Sequence, residues 1–314
     1  MSERKNKLSV IIPVFNEGEC IVEVANRLLE LREKLLSELD LELLFVDDGS
    51  SDMSLSILKE ISAKNLNVKI IVFSRNFGHQ IAVTAGIDMA CGDYVAIIDA
   101  DLQDPPELLE DMYHLALQGF DVVYGKRRSR AGETLLKRLT AVVFYKFINY
   151  MCDINIPMDT GDFRLMSRRV VDELKQLRER HRFIRGLIPW LGFKSVPFEY
   201  DRHVRFAGKT KYPFSKMIRF AMNAILSFSQ KPLILAMHLG FWSILVGIFG
   251  GLYMLYIKLF TTISVPGITV VIFCIILFGG IQIFLIGIIG EYIARIFEES
   301  KQRPLYIVAE TTNI

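Results

Sequence analysis

Tyr94-Val-Ala-Ile-Ile98-Asp99-Ala100-Asp101-Leu102-Gln103-Asp104 sets an unbroken apolar run against three carboxylates in the next six positions. A run apolar at every position, not every second one, reads as a strand covered on both faces. That is the habit of parallel sheets flanked by helices. The acids then mark the end of the strand, where the chain turns and can aim two carboxylates at one ion.

The same grammar repeats on both sides of this stretch. Upstream, Leu8–Val14, Leu41–Val46 and Val68–Phe73 are apolar runs ending in Asn16-Glu17, Asp47-Asp48-Gly49-Ser50 and Arg75-Asn76. Between them, Glu19–Leu39, Ser54–Ala63 and Gln80–Ala90 have helical spacing, with Ile21, Val24, Leu28, Leu31 and Leu35 on one face. Downstream come a helix over Pro106–Gln118, with proline at its start, and a strand over Asp121–Tyr124. Strand and helix in alternation predict an α/β domain with a doubly wound, mostly parallel sheet. Ligands of such sheets bind beyond the carboxyl ends of the strands, where four polar clusters fall here. Ordinary helix capping explains Ser50 and could explain Asn16 or Asp48, but it does not explain acids along a whole edge.

Beyond Gly125 the alternation stops. Leu135–Cys152 and Phe214–Ser229 mix aromatic and basic residues and read as amphipathic interfacial helices, or as helices packed on the soluble core. The chain of 314 residues has 37 Lys/Arg and 35 Asp/Glu, yet only eight of these lie beyond Lys231, and Lys258 is the only one from Pro232 to Gly290. The segments Pro232–Ile257 and Ile268–Gly290 are each long enough to span a bilayer, with a turn predicted at Pro266-Gly267. A fully soluble protein is thereby excluded. So is a many-span transporter, because the first 231 residues have soluble composition.

The net charge of +2 conceals two basic blocks. Residues 202–231 hold seven Lys/Arg and no acid, and residues 126–146 hold seven against Glu133 alone. Beside a membrane segment such blocks attract anionic headgroups and phosphates, so no nucleic-acid partner is expected. The positive-inside rule places the N-terminal domain and both termini in the cytoplasm. The cysteines Cys20, Cys91, Cys152 and Cys274 form no metal or redox spacing. The apolar stretch at the N-terminus is too short for a signal peptide.

The domain expectation is a catalytic unit over 1–212, with an interfacial helix near 133–152. A juxtamembrane helix follows over 213–231, two spans over 232–290 and a cytoplasmic tail over 291–314.

Taken together, Val10–Glu17, Phe45–Asp52, Ser74–Gln80, Asp99–Glu107 and Gly161–Arg169 resemble glycosyltransferase family 2, whose nucleotide-sugar-binding fold is called GT-A. Arg205-x-x-Gly208-x-Thr210-Lys211, the two apolar segments and Gly290–Ile296 resemble the narrower polyprenyl-phosphate glycosyltransferases, among them the bactoprenol glucosyltransferases and, more distantly, the dolichol-phosphate mannose synthases.

The resemblance implies a role for each matching position. Pro13, Asn16, Glu17, Asp47 and Asp48 would contact the nucleotide. Asp99, Asp101 and Gln103 would hold Mg²⁺ or Mn²⁺ and the diphosphate. Asp162 would be the catalytic base, with Asp101 and Arg128 also catalytic. Arg127, Arg164, Arg205 and Lys211 would grip donor or acceptor. The implied reaction is transfer of a hexose, glucose from UDP-glucose first, to undecaprenyl phosphate by an enzyme that forms a homo-oligomer, a tetramer in the related group. N-acetylglucosamine, galactose, mannose and aminoarabinose are alternatives, as is a non-catalytic nucleotide-sugar sensor. A processive polysaccharide synthase would carry a QxxRW signature, which this sequence lacks.

Chemistry qualifies the base. A phosphate monoester with a second pKa near ~6 is already largely ionised at neutral pH, so it needs a base less than a sugar hydroxyl does. Asp162 is therefore expected to orient the acceptor as much as to take a proton. For Arg168, pairing with a neighbouring acid such as Asp172 is expected rather than ligand contact.

Overall fold

The computed structural model describes residues 5–128, 146, 150–152, 157, 160–201, 222, 225–260 and 267–314. Among them, β1 (Asn6–Val14), β2 (Leu39–Asp47), β3 (Val68–Phe73), β4 (Tyr94–Ile97), β5 (Val122–Arg127), β6 (Thr160–Ser167), β7 (Ser195–Tyr200) and β8 (Val308–Thr312) form one sheet. Its order is β7-β5-β6-β4-β1-β2-β3-β8. The core pairs β1–β2, β1–β4 and β2–β3 are parallel. This mostly parallel, helix-covered sheet is the GT-A-like architecture expected.

Each apolar run serves two cores at once. In β2, Leu43 and Phe45 face the layer of α1 (Ile21–Leu35), α2 (Ser54–Lys64) and α4 (Leu108–Leu117). Leu44 and Val46 face α3 (His79–Met89), α5 (Arg168–Gln176) and α6 (Ile184–Trp190). That is why the strand is apolar at four successive positions, Leu43 to Val46, while its one buried mid-strand acid, Glu42, is paired with Lys7 and Lys69. Helix α3 lies unusually close to the sheet: a Cβ on Gly86 would come within 2.3 Å of Ile11 Cγ2. Glycine here lets α3 press onto β1 and fixes where its N-terminus ends.

Two strands depart from the parallel expectation. Thr160–Ser167, which the sequence pattern did not mark as a strand, enters as β6 between β4 and β5, antiparallel to both. Its register sets Arg164 opposite Ile97. Because β6 runs backwards, its beginning lies at the edge where the parallel strands finish. Continuing the register by two residues brings Asp162 beside Asp99.

The other antiparallel strand is β8, which adds to the outer edge of β3. Helices α7 (Lys231–Phe260) and α8 (Gly267–Ser300) are the two candidate spans. At 1.5 Å per residue they run ~45 and ~51 Å, beyond a ~30 Å hydrocarbon core. Their large side chains, including Phe241, Trp242 and Ile283, are exposed over most of their surface, as lipid-facing residues would be.

The surplus of α8 docks on the catalytic unit. Arg180 N–H donates to Glu299 (2.7 Å), and His181 pairs with Glu298 (2.8 Å). The chain then returns along the domain: Tyr306 stacks on Phe73 (5.2 Å between centroids) and donates to Asp88 (2.8 Å). Residues 291–314, expected as a cytoplasmic tail, comprise the end of α8 and an edge strand of the catalytic sheet. The interfacial helices expected near 133–152 and 213–231 fall largely outside the described residues. So does Pro266 of the predicted turn.

Candidate active site

Two loops at the carboxyl edge are laced together. Asn16, with φ of 55°, donates its N–H to Ser50 Oγ (3.1 Å) and accepts the Ser51 N–H on Oδ1 (2.8 Å). Glu17 N–H donates to Ser54 Oγ (2.9 Å). Gly49 sits at φ 69°, where a Cβ would be 2.6 Å from the Arg75 carbonyl carbon, so this turn closes on the loop after β3 only with glycine.

The neighbours Asp47 and Asp48 divide. Asp48 accepts the N–H groups of Phe77 (2.6 Å) and Gly78 (2.9 Å) and so fixes the start of α3. Expected to contact nucleotide, it accepts a backbone N–H on each oxygen and so also holds the start of α3. Asp47 is fully buried; Oδ2 accepts Ser50 N–H (3.2 Å), while Oδ1 has no hydrogen-bond partner. A buried acceptor left unpaired costs about 1–3 kcal/mol, which marks Oδ1 as a place for a ligand donor.

The acidic turn after β4 is held by Leu102 at φ 57° and by Gln103 N–H donating to Asp101 Oδ1 (3.1 Å). Asp104 is buried beneath it, taking the Tyr200 hydroxyl and lying 3.7 Å from Arg127. The Arg127 guanidinium crosses Gly161, where a Cβ would come within 2.8 Å of Nη2. Asp99 Oδ1 is buried without a hydrogen bond. Burial pushes the Asp99 carboxyl up to about 6; His79 opposes this, while Asp162, Asp104 and Asp101 add to it. The cationic group nearest to Asp99 is His79 Nε2, 3.6 Å from Oδ1, and a buried oxygen without a hydrogen bond among crowded carboxylates fits a divalent cation. Among the described residues, the ligand atoms that gather within 4.8 Å belong to His79, Asp99 and Asp162. Asp99 belongs to both this group and the expected set with Asp101 and Gln103.

Asp162 is the most heavily bonded carboxylate here, at 3% exposure. Arg185 grips both oxygens (Nε to Oδ1 2.8 Å, Nη2 to Oδ2 2.9 Å). His79 Nε2 lies 3.0 Å from Oδ2, and the Gln80 amide donates to it (3.3 Å). Burial alone would raise its pKa, but the charge of Arg185 and the hydrogen bonds from His79 and Arg185 outweigh that and hold it well below the usual range. His79 is opposed by burial too, yet Asp162 and Asp99 hold it up at about 9, so it is cationic at neutral pH. The expected catalytic base is thus a weak base in this geometry.

The remaining expected residues scatter. Arg164 is 3% exposed and donates to the carbonyls of Gly161 (2.9 Å) and Asp162 (3.3 Å), so it braces the strand rather than sitting on the surface. Burial lowers it to about 10. Arg128, expected to be catalytic, has a side chain 60% exposed and lies 3.9 Å from Glu199, which is itself 47% exposed. Pro13 lies within β1, paired with Val46. Arg168 reaches Asp172 (3.5 Å) and the Gly92 carbonyl (2.9 Å), a structural role as expected. Arg205 and Lys211 lie outside the described residues.

His79, Gln80 and Arg185 were not anticipated. The first two could have been found, since they directly follow a strand-end cluster at Arg75-Asn76. Arg185 carries no local signal; it meets Asp162 only through the placement of α6.

Residues 9–175 match the family model described as glycosyl transferase family 2. An uncharacterized glycosyltransferase of Bacillus subtilis (strain 168) is 50% identical over 314 residues, covering 99% of this chain and 96% of the relative. Another from Synechocystis is 43% identical, covering 97% and 95%. A bactoprenol glucosyl transferase of Shigella phage SfV is 38% identical over 302 residues, covering 96% and 98%.

Proposed function

The chain belongs to glycosyl transferase family 2, and on that premise we propose that it transfers a hexose from a nucleotide-diphosphate sugar to a polyprenyl phosphate at the cytoplasmic face of a membrane. Glucose from UDP-glucose and undecaprenyl phosphate are the first choices. The observation that carries this reading is the likeness to a bactoprenol glucosyl transferase, which extends through both apolar helices as well as the catalytic sheet.

In this reading Asp47 Oδ1 takes a donor N–H of the nucleobase, and the Asn16–Glu17 rim flanks the nucleotide. Asp99, with Asp101 and Gln103, would hold Mg²⁺ or Mn²⁺, which when bound offsets negative charge on the leaving diphosphate. The acceptor oxygen attacks the anomeric carbon opposite the leaving group, and the configuration inverts. An ionised phosphate oxygen needs no proton removed, so a weakly basic Asp162 fits the role of orienting cationic groups at the acceptor. Positioning and electrostatics supply the rate.

The docking of α8 on Arg180 and His181 ties this site to the bilayer, where the lipid phosphate lies. The basic blocks support a cytoplasmic catalytic domain, and the connection bearing Lys258 would face the other side. Gly250, Gly251, Gly279 and Gly280 meet nothing within 4 Å in this chain, which leaves close-packing surfaces for a homo-oligomer.

The test uses detergent-purified full-length protein, Mg²⁺ or Mn²⁺, undecaprenyl phosphate and a panel of radiolabelled nucleotide sugars. Labelled lipid with one sugar is expected. No labelled lipid with any donor sinks the proposal.

A further inference from the structure

Tyr200 touches both halves of the site. It ends β7, in register with Arg127 at the end of β5, and it is buried. Its ring meets that of Phe163, the residue after Asp162, edge to face, with centroids 5.6 Å apart. Gly125 lies against this pair: a Cβ there would come within 2.8 Å of both rings, so glycine is what lets them close. The Tyr200 hydroxyl donates to Asp104, which ends the acidic turn after β4.

These partners are not neighbours in the sheet. Strands β5 and β6 stand between β7 and β4. Three strand spacings amount to roughly 14 Å, so the acidic turn reaches past the start of β6 to meet Tyr200. Arg127 shares the crossing, 3.7 Å from Asp104, with its guanidinium over Gly161. The turn itself holds an uncommon shape. Leu102 sits at φ 57°, a backbone conformation that a bulky side chain keeps only where its surroundings impose it. The bond from Gln103 N–H to Asp101 lies within the turn, whereas the Tyr200 hydroxyl holds it from outside. Leu102 is buried in the same apolar core as Phe163 and Tyr200.

We propose that Tyr200 is a positioning residue for the metal-bearing turn: its hydroxyl, through Asp104, aims Asp101 and Gln103 at the cation, while its ring braces Asp162 through Phe163. The proposal rests on the metal-assisted transfer inferred above. Tyr200 acts through Asp104 and Phe163, not by contact with the ion or the sugar. The two parts of the side chain can be separated chemically. Tyr200→Phe removes the bond to the turn and keeps the ring against Phe163, so it loosens the cation side of the site and leaves the Asp162 side in place.

Full-length wild type, Tyr200→Phe and Tyr306→Phe are compared in detergent micelles. Tyr306→Phe is the matched control: it also removes a hydroxyl that donates to an aspartate, Asp88 (2.8 Å), but one on α3 and outside the acidic turn. Mn²⁺ affinity is read by electron paramagnetic resonance, UDP affinity by calorimetry with Mn²⁺ and with EDTA, and the acceptor KM from initial rates with undecaprenyl phosphate. Tyr200→Phe is expected to weaken Mn²⁺ roughly fivefold or more, the effect of losing a charge-assisted hydrogen bond, while UDP affinity in EDTA and the acceptor KM stay within about twofold. The gain in UDP affinity that Mn²⁺ confers shrinks with it. Tyr306→Phe lowers the melting temperature and leaves Mn²⁺ affinity at the wild-type value. Wild-type Mn²⁺ affinity in Tyr200→Phe overturns the proposal. So does an equal loss in Tyr306→Phe, which makes the effect one of general stability. If Tyr200→Phe melts early, Asp104→Glu decides, because it keeps the charge and displaces the carboxylate from the turn. Weaker Mn²⁺ with metal-free UDP affinity retained supports the proposal, and unchanged Mn²⁺ affinity overturns it. Wild type that binds no Mn²⁺ overturns it too. Wild type that binds Mn²⁺ but makes no lipid-linked sugar defeats the transfer reading instead, and the Mn²⁺ titrations still decide for or against the role of Tyr200.

Discussion

The parallel half of the sheet and the half around β6 contribute to one site in different ways. From β1 to β4 every strand arrives at the same edge, so its terminal acids are neighbours in space and follow a visible apolar run in sequence. Strand β6 comes from the opposite direction and presents its first residues at that edge. Asp162 therefore precedes its apolar run, and its partners His79 and Arg185 come from α3 and α6. The parallel half offers buried oxygens without a hydrogen bond, at Asp47 and at Asp99, whose nearest cation is His79 at 3.6 Å. The β6 half offers a carboxylate already saturated with cations. One half is built to receive a ligand, the other to hold positive groups in place.

The largest expected effect breaks the saturated half. Asp162→Asn leaves Arg185 and His79 without their shared counter-charge. Removing one partner of a buried ion pair costs about 3–5 kcal/mol, so a marked fall in melting temperature is expected. Transfer should fall by about 10²–10³, the scale of losing a preorganised electrostatic group. Because Asp162 here aims cations rather than taking a proton, the loss should persist from about pH 6 to about pH 8. Recovery of near-normal turnover at high pH would return Asp162 to the role of base.

Asp99 tests the receptive half. Its carboxyl is raised to about 6, so it is protonated below that pH and ionised above it. A cation binds the ionised form, so Mn²⁺ affinity should be steady near pH 7.5 and fall by about tenfold per unit once pH drops below ~6. Electron paramagnetic resonance titration of Mn²⁺ reads this directly. Asp99→Asn should weaken the metal and flatten that pH dependence; an unchanged titration would remove Asp99 from the cation site.

How much of this was legible follows from the same geometry. The strands from Asn6 to Ile97 could be placed because each carries a run of consecutive apolar residues and is punctuated by polar turns. Strand β6 was not anticipated: its apolar positions are interrupted by Asp162 and Arg164, both buried, which local pattern cannot tell from a surface segment. Arg185 was invisible for a simpler reason. Nothing near it in sequence points to Asp162; the packing of α6 through Ile184, Leu187 and Ile188, with the Gln80 bridge from α3, brings the two together. Asp48 sits beside Asp47 with the same chemistry, and the backbone amides of Phe77 and Gly78 that it accepts, which distinguish the two, have no signal in the sequence.

That neighbouring pair gives a smaller, cleaner comparison. Asp47→Asn keeps shape but replaces part of the acceptor capacity that Oδ1 holds ready. Donor-nucleotide affinity should drop by about 1–2 kcal/mol, roughly five- to thirtyfold, with little change in melting temperature. Asp48→Asn should do the reverse, lowering stability as it loosens the start of α3. Nucleotide calorimetry beside thermal melting separates them, and equal effects in both assays would erase the distinction drawn here.

The smallest effect is expected at the sheet's other antiparallel strand. Like β6, β8 runs against its neighbour, but it lies at the edge, and its Glu310–Lys59 pair (2.7 Å) has both side chains nearly half exposed. Water screens such pairs, which contribute about 0–1 kcal/mol and less in high salt. Glu310→Gln should shift the melting temperature by only a degree or two and leave acceptor and donor KM unchanged. The backbone ladder to β3 and the Asn313 side chain, which donates to the carbonyls of Ser62 and Val68 (both 3.0 Å), hold the strand without that charge. A large loss of activity in Glu310→Gln would mean that the edge strand transmits to the site, and that strand direction alone does not separate β6 from β8. A silent variant instead sets β8 apart from β6, whose first residues lie at the edge where the parallel strands end.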